Sequence, residues 1–134
     1  RMHLMIFVNI AKPTAMERVI ILIAQFIFIL MYLFIYIISK RTAHRIVGYF
    51  EEEAVYSYTE FLDELDSGKM KNEPAPKIAI DYYNLPLHAT LRDVVVRVRE
   101  DEAGHRDVNH SYANILNNKL DPNEEQQTNL KKTN

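Results

Sequence analysis

The sequence predicts an all-α protein, a helical bundle with polar ligands in its interior, and three observations predict it. Only three glycines and five prolines occur in 134 residues, and helix formers dominate the interior. Apolar residues recur at helical spacing, as at Leu91, Val94, Val95 and Val98, which gathers them on one face. On that same stripe Glu102 and His105 stand where apolar residues belong, with Tyr112 and Leu116 beyond them. A buried carboxylate costs several kcal/mol unless a partner compensates it, so the pair implies a bound cation. Glu-x-x-His is the pattern that carboxylate-bridged di-iron bundles use on two of their helices.

Composition narrows the chemistry further. At 134 residues the chain is one domain at most, and its 48% hydrophobic residues suit a core or a membrane surface. A net charge of -2 makes no electrostatic case for nucleic acid as a partner. The sequence has no cysteine, so disulfides, zinc knuckles and thiol catalysis are excluded, and any metal must be held by His and carboxylates.

Taken in order, residues 1–10 are mostly apolar with His3 among them and read as the tail of a buried helix. The chain starts at Arg1 rather than Met, already inside this run, and so reads as a piece lacking its beginning. Lys12-Pro13-Thr14 breaks the helix, and Thr14 with Glu17 three residues later forms a capping box for the next one. From Val19 to Ile38 the one strongly polar residue is Gln25, with Arg18 before the run and Lys40-Arg41 after it. Length and hydropathy favour a membrane-spanning helix, with a helix lying in one leaflet as the competing reading.

A third helix is expected from about Thr42 to Leu65, stopped at Gly68, with an inward stripe of Val47, Phe50, Ala54, Tyr58, Phe61, Leu62 and Leu65. Glu51 falls on that stripe, whereas Glu52 and Glu53 rotate away from its centre. Residues 69–76 are a polar loop and 78–87 a short apolar piece ended by Pro86. The fourth helix carries Glu102 and His105. Residues 121–134 have no apolar periodicity and are expected to be disordered, which leaves 1–120 as the folded part.

One Glu-x-x-His alone is weak evidence, since acids and histidines often share exposed helix faces. The metal case strengthens because His3, Glu51 and the Glu102–His105 pair place candidate ligands on three different inward faces. His44, His88 and His110 lack such partners on their faces and read as structural or exposed. Carboxylate-rich ligation with few imidazoles suits iron and dioxygen chemistry. Tyr58, two turns from Glu51 on the same face, could donate an electron or proton, or simply hydrogen-bond a ligand. If the apolar helix reaches lipid, the reductant can arrive through lipid too, which points to a quinol.

Four stretches, in order, carry a resemblance to the alternative oxidases, the non-haem di-iron ubiquinol oxidases of mitochondria and some bacteria. Arg1-Met2-His3-Leu4 resembles the end of that family's Asn-Glu-Arg-Met-His-Leu motif. Glu51-Glu52-Glu53-Ala54-Val55 with Tyr58-Thr59 resembles its Leu-Glu-Glu-Glu-Ala motif, with Phe50 in place of Leu. Asp81-Tyr82-Tyr83-Asn84-Leu85-Pro86 resembles its Asp-Tyr-Tyr-x-Leu-Pro loop, and Arg99 to Arg106 its Arg-x-Asp-Glu-Ala-x-His-Arg motif. Together they cover roughly residues 1–116.

The resemblance implies a ferritin-like di-iron four-helix bundle plus a membrane-surface helix, with the first bundle helix and part of the second missing from this chain. It implies two iron ions, ubiquinol and dioxygen as substrates, water as product and no proton pumping. It further implies membrane lipid as a partner, a homodimer, and attachment to the matrix side of the mitochondrial inner membrane or to a bacterial cytoplasmic membrane. Carried over by position, His3, Glu51, Glu102 and His105 would be metal ligands, Tyr58 a catalytic tyrosine and Asp101 a group supporting the ligands. Phe50, Glu53, Ala54 and Ser57 would line the quinone pocket, and Gln25 would sit near the dimer contact. On this reading Val19 to Ile38 lies in the membrane surface. With four of six ligands in the chain, the piece alone is expected to bind iron poorly and to lack oxidase activity. The alternatives are a di-iron monooxygenase acting on a lipid-borne substrate and a non-catalytic membrane-associated helical protein.

Overall fold

The computed structural model describes residues 2–120, and within them all regular structure is helical. Arg1 and the segment 121–134, with its expected disorder, lie outside the described residues. Five helices follow in order: α1 (Met2–Ala11), α2 (Ala15–Ile38), α3 (Lys40–Asp66), α4 (Lys77–Tyr83) and α5 (Leu91–Leu120).

Helix boundaries follow from capping chemistry. Lys12 takes up a left-handed conformation, φ 46°, as α1 ends. The Thr14 hydroxyl then accepts from the Glu17 N–H, while the Glu17 carboxylate accepts from the Thr14 N–H at 2.7 Å, the reciprocal pairing expected of the box. Ser39 is at once the last cap of α2 and the first cap of α3, its hydroxyl accepting from the Thr42 N–H. Asn84 closes α4 with φ 52°, a conformation that Asn tolerates better than most residues. At the start of α5 the Asp93 carboxylate accepts from both the N–H and the hydroxyl of Thr90.

Helices α3 and α5 run antiparallel, as shown by contacts that join Arg45 to Asn114, Thr59 to Arg99 and Asp66 to Arg92. The core lies at one end of this pair. Leu62 and Leu65 of α3 pack on Leu91 and Val95 of α5. Ile6 of α1 meets Val94 and Val98 together with Ala79 of α4. Ile6, Val94, Val95 and Val98 are fully buried, and burying a side chain of this size stabilises by roughly 1.5–3 kcal/mol. The expected α5 stripe therefore holds from Leu91 to Val98.

Further along α5 the stripe departs from expectation. Tyr112 is exposed and lies beside His44 at the edge of the pair. Seven-residue spacing drifts by about 20° per heptad on a straight helix, which carries position 112 to the margin. Phe50 is likewise half-exposed, because it points towards α2 and meets Phe28 edge-on at 5.7 Å.

Helix α2 has a mean hydropathy of 2.7 over its most apolar window and no buried residue. It is long and apolar enough to cross a membrane. It folds back along α3, with Tyr36 against His44 near the joint and Phe28 against Phe50 further on.

Candidate metal centre

The candidate site sits where α1, α3 and α5 meet. Periodicity puts Glu51 on the side of α3 that faces α5, and Glu102 and His105 lie one helical turn apart on α5. Ligand atoms of Glu51, Glu102 and His105 lie within 4.8 Å of one another. His3 joins from α1, with Nδ1 2.8 Å from Glu102 Oε1. On the other side of Glu102, His105 Nδ1 is 3.1 Å from Oε2. The two imidazoles thus flank one carboxylate, their centroids 6.2 Å apart.

Exposure is uneven across this group. The Glu102 side chain is only 12% exposed, whereas that of His105 is 58% exposed. The inward placement expected of His105 is therefore corrected. Its position is rotated about 60° from Glu102 around α5, on the rim of the packed face.

The electrostatics follow from the crowding of acids. Burial, then the neighbouring Glu102 carboxylate, raises the Glu51 carboxyl to about 7, with His3 offsetting part of the effect. Burial also pushes Glu102 upward, but its contacts with His3, Glu51 and His105 outweigh that and hold it below the ordinary range. Of two carboxylates forced together, one keeps its proton and the other stays charged. The Glu102 contact raises His3 in spite of burial, with Asp101 adding to it.

His3 is also braced from behind. Its Nε2 lies 2.9 Å from Asp101 Oδ2, which accepts a second hydrogen bond from the Tyr83 hydroxyl at 2.7 Å. In the metal-free chain Nδ1–H donates to Glu102 and Nε2–H to Asp101. A metal at Nδ1 would replace the first of these protons and leave Nε2–H on Asp101, which is how metal-ligating histidines are commonly oriented. These two hydrogen bonds outweigh burial and keep Asp101 below its ordinary range. Tyr83 entered the sequence reading only as part of a loop motif; no spacing rule could pair it with Asp101.

Tyr58 stacks on Phe7 at 5.7 Å, with the rings 15° from parallel. Burial raises its hydroxyl, and the nearby charges of Glu102 and Glu51 raise it further, so it keeps its proton. A polar cleft of about 360 Å³ opens beside the centre, lined by Met2, His3, Tyr82, Asp101 and His105. Of the residues expected at the quinone pocket, Phe50, Glu53 and Ser57 are exposed and Ala54 is half-buried. Gln25 lines a separate apolar cleft of about 840 Å³ between α1 and α2, with Leu4, Met5, Leu22 and Phe28.

His110, read as structural or exposed for want of partners on its own face, finds one on the facing helix. Its Nε2 lies 3.1 Å from Glu52 Oε1, because the two helices bring together residues 58 positions apart. His44 likewise contacts Asn109, with its Nδ1 3.0 Å from the amide oxygen.

Two carboxylates and two imidazoles are a donor set for a hard or borderline divalent ion, and the cluster of like charges is one that such an ion would neutralise. Comparison with known proteins bears on which chemistry. The family model described as alternative oxidase matches residues 1–114. The mitochondrial ubiquinol oxidase 2 of Nicotiana tabacum is 60% identical over 82% of this chain and 37% of its own length. The mitochondrial ubiquinol oxidase 1a of Arabidopsis thaliana is 58% identical over 86% of this chain and 32% of its own. That of Oryza sativa subsp. japonica is 55% identical over 86% of the chain and 35% of its own. The chain spans about a third of the length of the curated relatives it matches.

Proposed function

We propose, from the premise that this chain belongs to the alternative oxidase family, that it supplies His3, Glu51, Glu102 and His105 to a di-iron centre in a mitochondrial ubiquinol oxidase. When bound, the iron pair supplies the redox chemistry that passes electrons from ubiquinol to dioxygen. Each ubiquinol gives up two electrons and two protons, and one dioxygen takes four of each to become two waters, with no proton pumped.

The observation that carries this reading is the meeting of Glu51, Glu102 and His105 ligand atoms within 4.8 Å, with His3 2.8 Å from Glu102. The chain's own residues have defined tasks. Asp101, held by Tyr83, keeps the His3 ring turned so that Nδ1 faces Glu102. Glu51, whose carboxyl lies near 7 in the metal-free chain, gives up its proton when it takes its place as a ligand. Tyr58, near the acids and with its proton in place, can give it up together with an electron. Phe50, Glu53, Ala54 and Ser57 are the residues we assign to the quinol's path, next to the apolar surface of α2.

We further assign α2 to the surface of the mitochondrial inner membrane on the matrix side, lying in one leaflet. Its docking along α3 supports this. A spanning α2 would carry the Glu51, Glu52 and Glu53 carboxylates of α3 towards the hydrocarbon, at a cost of several kcal/mol. Gln25 and the apolar cleft around it are assigned to the homodimer contact.

The test uses the full-length protein. Oxygen uptake with ubiquinol, insensitive to cyanide and leaving no oxygenated product, is expected to disappear in Glu102→Ala. Metal analysis should show iron lost in parallel. Uptake and iron content retained in the variant would sink the reading.

A further inference from the structure

The contact between α3 and α5 contains a polar chain that the oxidase reading does not use. Gly48 is buried in α3, and the His110 imidazole of α5 lies against it; a Cβ at position 48 would meet ring atoms at 2.6 to 2.9 Å. The ring is held on both sides. Arg45 Nη1 lies 3.0 Å from His110 Nδ1, and Arg45 Nη2 donates to Asn114 Oδ1 at 2.6 Å. His110 Nε2 lies 3.1 Å from Glu52 Oε1.

The direction of this chain follows from its members. Arginine can only donate, so His110 Nδ1 accepts, and Nε2 carries the hydrogen that goes to Glu52. Tyr49 closes the cluster, its ring 5.3 Å from that of His110 and nearly perpendicular to it. Arg45, Gly48 and Glu52 follow one another at helical spacing on α3, and His110 and Asn114 on α5. The arrangement is a clamp between two helices.

Its position gives it a purpose. Glu52 is the neighbour of Glu51, and consecutive helical side chains leave the axis at a fixed angle of about 100°. Fixing Glu52 against α5 therefore fixes the direction in which Glu51 leaves α3. Such restraint matters because the Glu51, Glu102 and His105 ligand atoms meet within 4.8 Å, and a small rotation of α3 would separate Glu51 from the other two. We propose that His110, itself held by Arg45 over Gly48, is a positioning residue for Glu51, acting through Glu52. This rests on reading Glu51, Glu102 and His105 as a metal centre.

Cobalt(II) binding to the purified full-length protein, followed by the visible spectrum of the bound ion, tests it. His110→Leu and Glu52→Leu are expected to weaken binding on the order of tenfold and to alter the spectrum. The double variant should be no weaker than either single one, since both break the same link. Glu52→Gln keeps an accepting oxygen and should bind within about twofold of the parent. Leucine variants that fold and bind cobalt as the parent does, or losses that add in the double variant, would overturn the proposal. Should the leucine variants not fold, His110→Gln and His110→Asn decide. The longer amide reaches both partners and should restore binding where the shorter does not, and equal binding by the two overturns the role. The metal reading fails separately if the parent does not bind cobalt, or if Glu51→Ala binds it equally well.

Discussion

Glu51 should make the metal-free protein less stable as the solution becomes more alkaline, and Glu51→Gln should weaken that trend. The carboxyl is raised from an ordinary 4.5 to about 7 in the folded chain. Between these values the folded state holds a proton that the unfolded state has released, so stability falls as pH rises through the interval. A difference of that size corresponds to at most about 3 kcal/mol. Because the carboxyl is only half-buried, solvent screening reduces the effect to roughly 1–2 kcal/mol. His3 is also raised and acts in the same sense, but it is common to both proteins. Urea unfolding followed by circular dichroism in the presence of a chelator, at about pH 5 and about pH 8, measures the difference. The glutamine variant should match the parent at the lower pH and exceed it at the higher. Parallel pH dependences, or a glutamine variant weaker than the parent at about pH 8, would refute the reasoning.

Metal binding should respond to pH in the opposite sense. Since Glu51 and His3 must lose protons to ligate, affinity for cobalt(II) should drop as pH falls below 7, approaching about a hundredfold per pH unit where both are protonated, with protons released on binding, as calorimetry in buffers of different ionisation enthalpy would show. Ile6→Ala should cost about 2–5 kcal/mol in chemical unfolding, because the side chain is fully buried where α1 docks on α5. The same variant should weaken metal binding by loosening His3, three residues away. Gly48→Ala should cost about 1–3 kcal/mol in thermal unfolding, since the new methyl displaces the His110 ring.

Much of the fold was legible because helical periodicity is a local signal. The stripe from Leu91 to Val98 and the Thr14–Glu17 box announce their elements from residues a few positions apart, and both form as expected. Glu51 was separable from Glu52 and Glu53 by phase alone, and it is the one of the three that meets Glu102 and His105. Phase says nothing about which helix covers a face. Phe50 is on the expected stripe but turns to α2, and His105 shares a stripe with Glu102 yet stays largely exposed. The Arg45–His110–Glu52 chain was invisible for the same reason, since it depends on the register of two helices far apart in sequence. A glycine in the middle of a long helix was the one available sign of it.

The joint at Ser39 has a consequence for how the centre meets whatever surface α2 rests on. One residue with φ -153° and ψ 102° ends one helix and begins the next, so the connection holds no slack chain. From there Glu51 lies about 18 Å along α3 at the standard helical rise. The second helix is thus a ruler whose zero mark is set by the first. If α2 settles in a lipid surface as proposed, its depth fixes how far the acids stand from that surface, and a reductant dissolved there would meet the centre at one height.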